Sequence, residues 1–185
     1  MIGALKRILS YSRYLTLGLM DASLTSLSVL TATYLSGITN NIEVVRLALS
    51  VGVGIAASNY SGAYLAEETE IIKERIKVEK AMGLRQGQLR FTLLDRKLNF
   101  KARDRALVNS ISAFIGILIS TLPMWIFPSP DSYYYSVAIS VGMLALLGVY
   151  LGKIVNRNVI KSVVKVIVIA LVVMVLNLVL SKIST

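Results

Sequence analysis

The sequence predicts an all-α, polytopic membrane protein with five transmembrane helices, and three observations carry that prediction. The 185-residue chain is 55% hydrophobic, above the roughly 45–50% usual for a soluble domain, and its mean hydropathy is +0.69. The excess falls in stretches near the ~20 residues that a helix needs to cross about 30 Å of hydrocarbon. Lys and Arg gather in alternate connections, as they do in a chain that crosses a bilayer repeatedly.

The first span covers about residues 13–35 and ends at the polar break Ser36-Gly37-Ile38-Thr39-Asn40-Asn41, whose Gly and Asn favour a turn. The second covers about 44–66. No Pro or Gly interrupts 63–82, and Glu and Lys are strong helix formers, so this helix is expected to continue past the membrane until Gly83 and Gly87 break it. A basic helical insert, 67–105, follows. The third span, 106–127, ends at Pro128 and Pro130; the fourth is 134–151 and the fifth 159–180. Trp125 and the Tyr133-Tyr134-Tyr135 run flank the turn between spans three and four, as interfacial aromatics do. The whole of 1–185 reads as one membrane domain without an internal repeat, so an inverted-repeat transporter is not expected.

Orientation follows from charge. Lys6, Arg7 and Arg13 precede span one; Lys153, Arg157 and Lys161 surround the fourth connection. Eleven basic residues lie in the second connection, from Lys73 to Arg105, out of a total of 20. Arg46, at the edge of span two, is the exception. The positive-inside rule places the N-terminus and the insert in the cytosol and the C-terminus outside. The start, MIGALKRILSYSR, has no small-residue cleavage site, so no removable signal peptide is expected. The predicted location is a cell or plasma membrane, multi-pass. The net charge of +10 is concentrated in one loop between spans, which points to anionic lipid and not to nucleic acid.

Cysteine and histidine are both absent. Disulfides, thiolate sites and Cys nucleophiles are excluded, and so are the commonest general base and the commonest transition-metal ligand. Proton or metal chemistry must then use Asp, Glu, Asn, Ser, Thr, Tyr, Met, Lys or backbone carbonyls, an oxygen-rich set that suits hard or borderline ions better than soft ones. A membrane enzyme is not expected, and neither is a permanently bound cofactor.

Asp21 is the most informative residue. It is the single charge in residues 14–42, and a carboxylate at a membrane-helix centre costs about 2.5–3.5 kcal/mol on insertion scales. Asp21, Thr25, Ser28 and Ala32 share one helical face, with Met20 beside it; Asp21, Thr25, Ser28 and Met20, with Asn59 of span two, are the expected ion path. The hydroxyls alone have an ordinary explanation, bonding to their own helix carbonyls; a carboxylate cannot be satisfied that way. On span two, Gly54, Ser58, Gly62 and Ala66 recur every four residues, a small-residue stripe suited to close helix packing. Gly148 and Gly152 form a weaker pair of the same kind. Asp21 and Asn59 each lie about eight residues from the same membrane face, hence at similar depths of about 12 Å. If spans one and two pack through the small stripe, the two can face each other as oxygen ligands. Glu67, Glu70 and Glu74 then share a face at the predicted cytosolic mouth, where they can concentrate cations or simply form solvated helix pairs.

Taken in order, these residues resemble the vacuolar iron transporter superfamily, as a divergent short member. Span one, GLMDASLTSLSVL, resembles that family's Gly-x-x-Asp-Gly-x-x-Ser pattern with Asp21 at the acidic position. Span two, SNYSGAYLAEETE, resembles its Ser-Met-x-x-Gly-Glu-Tyr-x-Ser pattern through Ser58, Gly62 and Tyr64, with Asn59 where the family has Met and Ala63 where it has Glu. Span three, SAFIGILISTLP, resembles its segment ending in Pro, here Pro123. The resemblance implies a homodimer that exports Fe²⁺ or Mn²⁺ from the cytosol in exchange for protons. Asp21 would be the translocation carboxylate, with Glu67, Glu70 and Glu74 where the second helix meets the family's metal-binding helices. The basic insert departs from the family's acidic bundle, so a full metal-collecting domain is not expected. The alternative is a scaffold that kept the fold without transport and holds lipid or an acidic partner.

Overall fold

The computed structural model describes residues 2–90, 92–154 and 158–183, with side chains from residue 11 onward. Arg157, counted for orientation above, lies outside the described residues, as do the side chains of Lys6 and Arg7.

Among the described residues six helices form, in the order α1 (Ile2–Leu35), α2 (Asn41–Ala81), α3 (Leu93–Thr121), α4 (Pro123–Ile126), α5 (Asp131–Ile154) and α6 (Val159–Ile183). Five of these stretches are long and apolar enough to cross a membrane, α3 and α4 counting together. The protein is an all-α, integral, multi-pass membrane protein. Its apolar exterior fits that solvent: only 11% of the most apolar stretch of α6 is buried, and its large exposed hydrophobic side chains are Val, Leu and Ile.

Local chemistry sets the helix ends. Asn40 caps α2 by accepting from the Ile42 N–H at 3.1 Å, and Thr92 caps α3 by accepting from the Asp95 N–H. α2 runs unbroken for 41 residues and stops just before Gly83, whose φ of 68° only a residue without Cβ adopts easily. The turn between α2 and α3 is then fixed by one buried side chain. Glu79 accepts from the Gly87 N–H at 2.8 Å and from the Leu89 N–H at 2.9 Å. Those two backbone donors hold its carboxyl below the usual Glu range.

The helical stretches are longer than the membrane runs alone. α1 starts at Ile2, and α3 starts at Leu93, well before the apolar segment. The charged parts of α2 and α3 lie side by side as an antiparallel pair, tied by Arg75–Asp95 at 3.2 Å and Arg105–Glu67 at 2.6 Å. At the other end Pro123 closes α3 earlier than Pro128 would, and α4 turns the chain toward α5.

Packing corrects one expectation. α1 rests mainly on α3, then on α5 and α6, and meets α2 only lightly; α3 is the helix that packs along both α1 and α2. Gly18 is the reason: a Cβ there would lie 2.1 Å from Ser112 Oγ and 2.3 Å from the Asn109 carbonyl, and one at Gly116 would lie 2.5 Å from Ala22 Cβ. The backbones of α1 and α3 therefore touch as closely as small residues allow. The stripe Gly54, Ser58, Gly62 does not perform this role within the chain. All three are exposed, and a Cβ at Gly54 or Gly62 would meet nothing within 4 Å. The pair Gly148 and Gly152 does serve packing: added Cβ atoms would lie 2.8 Å from the Val163 and Val159 Cα atoms of α6.

Candidate functional site

Asp21 lies on the outer flank of α1, exposed, beside α2. Asn59 Nδ2 donates to Asp21 Oδ2 at 3.1 Å. The two helices scarcely pack, so this contact comes from α3, which holds both. Asn109 of α3 donates through Nδ2 to the Asn59 carbonyl at 3.3 Å, and the Asn109 carbonyl lies at the Gly18 close approach. Asn109 is buried, and among the described residues its Oδ1 has no hydrogen-bond partner. Asp21 forms no salt bridge among the described residues. One amide donor faces it, and no cation among the described residues does.

One and two turns further along α1, Thr25 and Ser28 are half-buried. Ser28 Oγ accepts from Asn177 Nδ2 of α6 at 2.8 Å, and the same amide group donates to the Val173 carbonyl at 3.0 Å. The polar flank Asp21, Thr25, Ser28 thus runs between an asparagine on α2 and another on α6. Asn177 and Asn109 were missed by the reading of the sequence, although the signal was present. Asn177 is the lone polar residue in the apolar run 166–180 of α6, as conspicuous by composition as Asp21. Asn109 sits where charge gives way to apolar residues on α3, which hid it.

Met20 is not part of this flank. It packs against the apolar cluster of Leu27, Leu144, Val166 and Ala170 between α1, α5 and α6. One residue is a 100° step on a helix, enough to turn a side chain from the flank to the interior.

The three glutamates separate as well. Glu67 is tied on both oxygens: Tyr14 Oη donates to Oε1, and Arg105 Nη1 pairs with Oε2 at 2.6 Å. That triad joins α1, α2 and α3, and Tyr11 donates to Asp104 at 3.4 Å beside it. Glu70 and Glu74 are exposed. Among the described residues no group of three or more Asp or Glu side chains is gathered so as to hold a metal ion.

Two comparisons bear on identity. The VIT family model matches residues 82–182, from the end of α2 to the end of α6; that segment includes neither Asp21 nor Asn59. The "Uncharacterized protein MJ0645" of Methanocaldococcus jannaschii is 31% identical over 145 residues, which cover 78% of this chain and 75% of that protein. With five membrane-length helices and a family match over more than half its length, the chain belongs to the VIT family, a transporter family whose membership points to metal ions as the cargo.

Proposed function

We propose that the protein carries a divalent cation of the Fe²⁺ or Mn²⁺ type out of the cytosol in exchange for protons, with Asp21 as the shared site. The observation that carries this reading is an Asp21 carboxylate on a membrane helix with one amide donor at 3.1 Å and no cationic partner among the described residues. Such a group is too costly to leave against lipid. Something polar must cover it, and a second copy of the chain fits. Asp21 and the small stripe Gly54, Ser58, Gly62 are exposed on the protomer, and such a stripe allows close approach between chains. In that arrangement two Asp21 flanks line one polar path.

The chemistry follows from exclusion. Asp21 binds a metal ion or a proton, never both, and that competition couples the two flows. A half-turn of the Asn59 amide exchanges its donor for an oxygen ligand. Thr25, Ser28 and Asn177 extend the oxygen-lined path, and Glu70 and Glu74 draw cations to its mouth. Glu67 serves that mouth only by leaving Arg105.

The deciding experiment is flux of Fe²⁺ and Mn²⁺ into proteoliposomes. Asp21→Asn is expected to abolish flux while leaving the oligomer intact in cross-linking; undiminished flux removes Asp21 from the mechanism. The locked Glu67, together with Asn59 and Ala63 at the family's Met and Glu positions, favours the second reading, a scaffold without transport. Calorimetry separates the two: wild-type protein that takes up neither ion supports the scaffold.

A further inference from the structure

The charged ends of α2 and α3 enclose a cleft of about 640 Å³ that the transport reading does not use. Four arginines line it, Arg75 from α2, Arg90 from the turn, and Arg96 and Arg103 from α3, against two carboxylates, Glu68 and Asp95. Asp95 is engaged by Arg75 at 3.2 Å. The buried Nε of Arg75 has no hydrogen-bond acceptor among the described residues, so the cleft wall carries an unmet donor as well as excess positive charge. Planar guanidinium groups match phosphate oxygens two at a time, which is why arginine dominates phosphate sites.

The same cleft has an apolar side. Phe100 and Ile72 line it and are exposed, and Tyr64 lies at its end nearest the membrane. From Tyr64 to Arg75 is about 16 Å along a helix, so the cleft runs from the membrane edge outward. A free phosphate has no use for Phe100, Ile72 and Tyr64, whereas a phosphate attached to a hydrocarbon tail does.

We propose that this cleft binds the phosphate of an anionic amphiphile, a membrane lipid headgroup, with Arg96 and Arg103 as its principal ligands and Phe100 against the attached chain. Such a ligand would brace α2 against α3 just beyond the end that carries the Glu67–Arg105 pair. The inference stands whether or not the protein transports metal.

Thermal unfolding of the full-length protein in neutral detergent tests it. Phosphatidylglycerol should raise the midpoint by about 5 °C or more, while phosphatidylcholine and inorganic phosphate at equal concentration should not. The double variant R96Q/R103Q should lose the rise. A control, K77Q/K80Q, removes the same charge from exposed positions outside the cleft and should keep it. Should R96Q/R103Q fail to fold, R96K/R103K, which keeps the charge but loses the planar fork, should show a reduced rise. A rise preserved in R96Q/R103Q, or lost equally in the control, overturns the site. An equal response to inorganic phosphate overturns the amphiphile.

Discussion

At the scale of single residues, the protein carries one carboxylate within a membrane span and another at the edge of a span, and treats them differently. Glu67 has a guanidinium and a phenol on its two oxygens, which makes it a joint between three helices. Asp21 has one amide. A charge-assisted hydrogen bond stabilises by about 1.5–3 kcal/mol, comparable with the ~2.5–3.5 kcal/mol insertion cost; under the proposed transport reading, a visiting cation supplies the remaining stabilisation. Glu79, on the charged extension of α2, is a third case, with its carboxyl held below the usual range by the Gly87 and Leu89 N–H groups. A depressed folded-state value means the contribution is fully present above the ordinary Glu value of about 4.3 and is lost as pH falls through the lower, folded value. Hydrogen exchange should therefore show the Gly87 and Leu89 amides protected near neutrality and deprotected only on acidification below about pH 4.3. In Glu79→Ala they should be unprotected at neutral pH; persistent protection there denies Glu79 its role in the turn.

At the scale of helices, which glycines touch a neighbour decides the packing. Gly18→Leu forces a side chain into Ser112 and the Asn109 carbonyl, so α1 and α3 must separate. Overpacking of this kind costs about 1–3 kcal/mol or more, and the shift should also break the Asn109–Asn59 link that holds Asn59 at Asp21. A Cβ added at Gly54 would meet nothing within 4 Å, so Gly54→Leu starts in open space. In detergent it should leave the unfolding midpoint of the monomer unchanged while weakening self-association, as seen by sedimentation. Equal destabilisation by both substitutions contradicts the assignment of α3 as the central helix.

At the scale of the molecule, two charged helix ends project together from one side of the bundle, and the short polar turn at Thr39 lies at the other end of α2. The absence of cysteine makes the orientation directly measurable. Thr39→Cys should react with a membrane-impermeant maleimide in intact cells, and Gln86→Cys only after permeabilisation; both positions are exposed. The reverse pattern overturns the inward placement of the charged ends and with it the direction of export.

The chain alone determined the helices and their membrane character, because hydrophobic length, glycine, proline and charge act locally along the sequence. It also singled out Asp21, since a charge in an apolar run is visible without a fold. What it misjudged was which faces meet. The stripe Gly54, Ser58, Gly62 and the pair Gly148, Gly152 look alike as spacing, yet only the latter packs within the chain. Met20 and Asp21 are adjacent in sequence and face different surroundings. The partners of Asn109 and Asn177 and the Arg105 lock on Glu67 required the tertiary structure, because each contact joins residues 38 or more positions apart. Spacing along a helix says which residues share a face; only the packed bundle decides what that face meets.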